Sequence, residues 1–90
     1  MSDPHAIRRR RLLFRAEHRG FKEADLVIGG FARARLQSMT ESELDEFEAL
    51  LEIPDQDLYA WVVSREEAPE DVNGPVFRAL AKSAHAVSRT

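Results

Sequence analysis

The chain has 90 residues, 43% of them apolar, no cysteine, and 13 Lys/Arg against 16 Asp/Glu for a net charge of -3. A chain this short buries only about 60–65% of its unfolded surface, so it supports one compact domain, residues 1–90, with one modest core expected over about residues 6–84. The lack of cysteine excludes a disulfide framework, a thiolate metal site and a cysteine nucleophile, and it suits a reducing cytoplasm.

Apolar residues recur at three- and four-residue spacing without strand-like alternation, which predicts an all-α fold of five helices. The first helix is expected from Ala6 to His18, with Ile7 and Phe14 one heptad apart, Leu13 beside them, and Gly20 placed to end it. A second helix should begin near Phe21 or Lys22 and reach Leu36, with Ala24, Val27, Ile28, Phe31 and Ala34 as its inner stripe. Glu23 and Asp25 fall in its first turn, where the helix dipole favours negative charge. Gly29 and Gly30 inside it would each cost about 1 kcal/mol relative to Ala, which implies the close approach of another element.

Thr40 and Glu43 form a capping-box pattern for a third helix, with Met39 available to pack on Leu44. The core face of this helix is Leu44, Phe47, Leu50 and Leu51. Pro54 stops it, and Asp55 is expected to cap a fourth helix carrying Leu58, Trp61 and Val62 on its core side. Asn73, Gly74 and Pro75 open a fifth, with Val76, Phe77, Leu80 and Ala84 inward and a frayed tail beyond Ala84. Short connections predict a small antiparallel five-helix bundle.

Charge divides along the chain. Residues 1–38 carry a net +5, residues 39–75 a net -11 and residues 76–90 a net +3, which suggests a basic and an acidic face able to orient the domain on a complementary protein. The longest apolar run, Leu26 to Ala32, is far below the roughly 18–20 residues needed to span a bilayer. Arg8 to Arg11 lead directly into periodic apolar sequence, so no cleavable presequence is expected. The arginines also admit a nucleic-acid-binding module, but the acidic centre argues against it.

Catalytic parts do not assemble. His5, His18 and His85 are scattered without a metal-ligand spacing, and no dinucleotide loop, P-loop or nucleophile elbow is present. The expectation is therefore no metal, no catalytic residue and no cofactor of its own. The segment Arg19-Gly20-Phe21-Lys22-Glu23, at the corner between the first two helices, has two readings. Gly20 could let a partner approach the backbone between the opposite charges of Arg19 and Glu23, or it could be only a cap beside an exposed Arg19–Glu23 ion pair. Spacing alone favours the second.

The run from Leu12 to Ala32, centred on Arg19-Gly20-Phe21-Lys22-Glu23-Ala24-Asp25, resembles the R-G-x-x-E signature of the succinate dehydrogenase flavinylation factors. Leu50 to Trp61, with its Pro54-Asp55 pair ahead of Leu58 and Trp61, resembles the second block of the same family, and the similarity covers about Arg8 to Leu80. Phe21 stands where Met is common, and Ala24 where a larger apolar residue is common. The resemblance implies a five-helix antiparallel cytoplasmic factor that binds the flavoprotein subunit of succinate dehydrogenase, with fumarate reductase a second client in some bacteria. It further implies that the factor promotes covalent attachment of FAD to a histidine of that subunit. Arg19, Gly20, Glu23 and Asp25, with His18 and Phe21 beside them, are then the partner-binding residues. A protein-interaction module of antitoxin type is the alternative.

Overall fold

A computed structural model describes residues 4–88, and side chains through residue 85. Among the described residues the chain is all helical: α1 (Ala6–Glu17), α2 (Lys22–Arg35), a 3-10 turn (Leu36–Ser38), α3 (Glu41–Leu51), α4 (Asp55–Val62) and α5 (Pro75–Ser88). Helix α2 packs against both α1 and α5, α3 touches α1 and α5, and α4 rests on α5. All five helices contribute to one apolar core, in which Phe47, Leu12, Ile28, Leu44, Leu58, Leu80 and Val62 are the largest side chains fully removed from water. The rings of Phe31 and Phe47 meet there at 5.9 Å, tying α2 to α3.

Two helix starts, those of α3 and α5, are capped by side chains. The Glu43 amide donates to Thr40 Oγ1 (3.2 Å) and the Thr40 amide donates to Glu43 Oε1 (2.9 Å), which completes the expected capping box. Helix α5 borrows its cap from another element: the amides of Val76 and Phe77 donate to Glu46 Oε2 on α3, at 2.9 and 3.1 Å. Gly74 makes room for this, since a Cβ there would lie 2.6 Å from the same oxygen. Pro75, with no N–H to satisfy, opens the helix. The backbone is helical to Ser88, past the expected fraying point, and residues 89–90 lie outside the described residues.

The core faces of α3 and α5 match expectation at every position, but the inner face of α1 does not. Leu12 and Ala16 are buried, whereas Ile7 and Phe14 are 62% and 63% exposed. The reason lies in two of the arginines. Arg9 donates to the carbonyls of Leu36 and Met39 (3.0 Å each), and Arg8 reaches Asp45 and Glu48 on α3 at 2.6 and 2.9 Å. Bonding to Asp45, and then to Glu48, raises the Arg8 pKa above its ordinary value. Residues 9, 12 and 16 thus face inward at helical spacing, which turns residues 7 and 14 outward.

Similar corrections apply elsewhere. Ala32 is buried on α2, while Ala34 is exposed. A Cβ on Gly29 would sit 3.1 Å from Glu17 Cγ and 3.2 Å from its Cα, so α1 does approach closely there, but Gly30 faces open space up to Arg33 at 3.9 Å. Trp61 packs against the edge of the core without being enclosed. Asp55 is the first residue of α4 rather than its cap, which is Pro54, because its carboxylate is taken by Arg19.

Candidate functional site

Helix α1 ends when His18 leaves helical geometry, and α2 begins after Phe21 in extended backbone. Between them Gly20 adopts φ +127°, a conformation closed to residues with a Cβ except under strain. A side chain would also displace the Asp55 carboxylate, since a Cβ would lie 2.6 Å from its Oδ2. Asp25 closes the corner from inside α2, its Oδ1 accepting from the backbone N–H of Arg19.

Arg19 is the buried centre of the assembly, with its side chain only 7% exposed. Its Nη1 donates to the Leu51 carbonyl (2.6 Å), and its Nη2 donates to the Ile53 carbonyl (2.7 Å) and pairs with Asp55 Oδ1 (2.8 Å). Leu51 ends α3 and Asp55 starts α4, so the guanidinium fork joins the α1–α2 corner to the α3–α4 corner. A cation at a helix C-terminus is favoured by the exposed carbonyl dipoles, and the planar fork can serve two carbonyls and a carboxylate at once. Its Nε is buried without a hydrogen-bond partner.

In front of this brace opens a groove of about 740 Å³, lined among others by Gly20, Phe21, Glu23, Asp55, Asp57, Tyr59, Arg65 and Glu66. Phe21 meets Tyr59 edge to face at 5.2 Å, and the Arg65 guanidinium lies 5.7 Å over the Tyr59 ring. Glu23 is exposed on the groove wall and forms no ion pair among the described residues, so the Arg19–Glu23 pair considered from sequence is absent there. His18 lies outside the groove, its ring stacked on Phe14 at 4.1 Å and its Nδ1 2.7 Å from the Phe14 carbonyl oxygen. Of the residues singled out from sequence, Gly20, Phe21 and Glu23 therefore line one surface. Arg19 and Asp25 support it from behind, and His18 flanks it.

Nothing in the sequence singles out Tyr59, Asp57 or Arg65, and its local signals give Asp55 only a capping role. The Pro54-Asp55 pair was the available signal for α4, but the contact of α4 with the first corner depends on tertiary packing. Chemically the groove offers bare backbone, an aromatic edge and a carboxylate-rich rim. No group of three potential ligands that could hold a metal occurs among the described residues.

The open, braced corner between α1 and α2 is the clearest surface feature of this small helical domain. The family described as "Flavinator of succinate dehydrogenase" matches residues 10–84, and the chain belongs to that family of assembly factors for FAD attachment. It is 45% identical over 80 residues to the "FAD assembly factor SdhE" of Acetobacter pasteurianus, covering 89% of this chain and 73% of that protein. It is 36% identical over 70 residues to the mitochondrial "Succinate dehydrogenase assembly factor 2" of Dictyostelium discoideum (78% of this chain, 50% of that protein). The identity to the Arabidopsis thaliana protein of the same name is 39% over 71 residues, 78% of this chain and 38% of that protein. The chain thus spans most of the bacterial relative and half or less of these two mitochondrial ones.

Proposed function

We propose that this chain is a non-enzymatic assembly factor of the bacterial cytoplasm that docks the flavoprotein subunit of succinate dehydrogenase on the Gly20 corner and promotes covalent attachment of FAD to it. The observation that carries the reading is the corner itself: backbone bared at positive φ, backed by the ion pair of buried Arg19 with Asp55, with the carboxylate of Glu23, unpaired among the described residues, presented alongside. Glu23 can accept hydrogen bonds from a client's cation or amide, and charge-assisted bonds of this kind are about twice as strong as neutral ones. Phe21 and Tyr59 supply the apolar part of the contact. The factor would act by holding the client's domains in the bonding arrangement, and correct positioning is worth about 7–11 kcal/mol of a barrier in the most favourable cases. The flavin belongs to the client, and the factor carries no cofactor.

The test is in-gel flavin fluorescence of the denatured subunit in a strain lacking the native factor. Wild type restores the signal, whereas Glu23→Ala, a change at an exposed side chain, and Gly20→Arg, which covers the bared backbone and crowds Asp55, do not, with circular dichroism checking that both variants are folded. Full rescue by both variants would overturn the docking role of the corner.

A further inference from the structure

Among the described residues the outer face of α1 has no partner. Ile7 and Phe14 are 62% and 63% exposed and lie one heptad apart, so they share a side of the helix. His18 continues that side and stacks on Phe14. Arg10 and Arg11 straddle the ridge, and both are exposed without an ion pair among the described residues. Their neighbours behave differently, since Arg8 is paired with Asp45 and Glu48 and Arg15 with Glu52. The packing of α1 therefore pairs Arg8 and Arg15 with carboxylates on α3 and at its C-terminal end, and among the described residues it leaves Arg10 and Arg11 as unpaired cations beside Ile7 and Phe14.

This ridge is continuous with the Gly20 corner. From Ile7 to His18 the helix climbs about 16 Å at 1.5 Å per residue, and the chain then passes directly through Arg19 into Gly20. We infer that the docking surface extends along α1, and that the client offers it an apolar groove rimmed with carboxylates. Ile7 and Phe14 enter the groove as anchors spaced i and i+7, the pattern by which a helix is read in a groove, and Arg10 and Arg11 meet its acidic edges. The corner and the ridge then present opposite charge, acidic at Glu23 and basic at Arg10 and Arg11, which fixes the orientation in which the client can bind. The inference rests on the docking reading above, with the same client.

The experiment measures binding of the purified flavoprotein subunit to full-length wild type, Glu23→Ala, the pair Ile7→Ser/Phe14→Ser and the pair Arg10→Glu/Arg11→Glu. All the substituted side chains are on the surface, and circular dichroism checks that each variant is folded. Each ridge pair should weaken binding by about tenfold or more, and the arginine pair should also flatten its salt dependence. If wild type binds, Glu23→Ala does not, and both ridge pairs bind within about twofold of wild type, the ridge is no part of the interface while the corner reading stands. If wild type itself fails to bind, the docking reading falls and takes the ridge with it. Sedimentation of wild type, and its flotation with vesicles of phosphatidylglycerol and phosphatidylcholine, test the other occupants. Self-association or vesicle binding lost in the ridge pairs, with client binding unchanged, would overturn the inference.

Discussion

Breaking the Arg19–Asp55 brace gives the most quantitative check on how the corner is held. Arg19 is almost completely buried and Asp55 is one-third exposed, at 7% and 33% side-chain exposure. Removing one partner of a fully buried pair costs about 3–5 kcal/mol, and the exposure of Asp55 reduces this to about 1.5–3 kcal/mol for Asp55→Asn, since the two carbonyl bonds of Arg19 remain. Arg19→Met removes the cation and leaves the Leu51 and Ile53 carbonyls without their donor, so about 3–5 kcal/mol is expected. In a domain of this size each kcal/mol corresponds to about 4–8 °C in Tm, which places Asp55→Asn roughly 6–24 °C below wild type. Urea unfolding of both single variants and the double variant gives the coupling between the two residues, expected at about 1–3 kcal/mol. A coupling near zero, or an Asp55→Asn variant as stable as wild type, would refute the claim that this pair locks the two corners together.

Three further predictions concern the scaffold. Gly30→Ala should stabilise the protein by about 0.5–1 kcal/mol, because its Cβ enters open space within a helix, whereas Gly29→Leu should destabilise by about 1–3 kcal/mol against Glu17; thermal melts of the two variants check the contrast. Glu46→Ala should cost about 1 kcal/mol by uncapping α5, and Gly74→Ala should cost a similar amount by displacing the same carboxylate, with the two effects less than additive in chemical denaturation. Phe14→Ser should leave the Tm within about 0.5 kcal/mol equivalent of wild type, because its ring is outside the core, whereas Leu12→Ala should cost about 2–5 kcal/mol.

The sequence was most readable where local signals agreed. Thr40 and Glu43 announce α3, Pro75 opens α5, and the apolar periods of both helices coincide with their buried faces, because capping and amphipathicity act over a few residues. Gly20 was legible for the same reason, since a lone glycine between two periodic segments marks a turn that needs positive φ. The face of α1 was not. The heptad spacing of Ile7 and Phe14 imitates a core stripe, and the side that turns inward is decided by Arg8 and Arg9 finding acceptors on α3 and around the 3-10 turn. The burial of Arg19 was equally hidden. A charged residue enters a core only when distant groups satisfy it, and its acceptors at Leu51, Ile53 and Asp55 become neighbours only after α3 and α4 fold onto the corner.

Amide hydrogen exchange of the chain with and without the purified flavoprotein subunit locates the contact most directly. Docking at the corner predicts added protection from Arg19 to Glu23 and along the facing turn of α4, from Asp55 to Ala60. A stable complex in which those amides exchange at unchanged rates, with protection confined to the remote surface of α5, would contradict it.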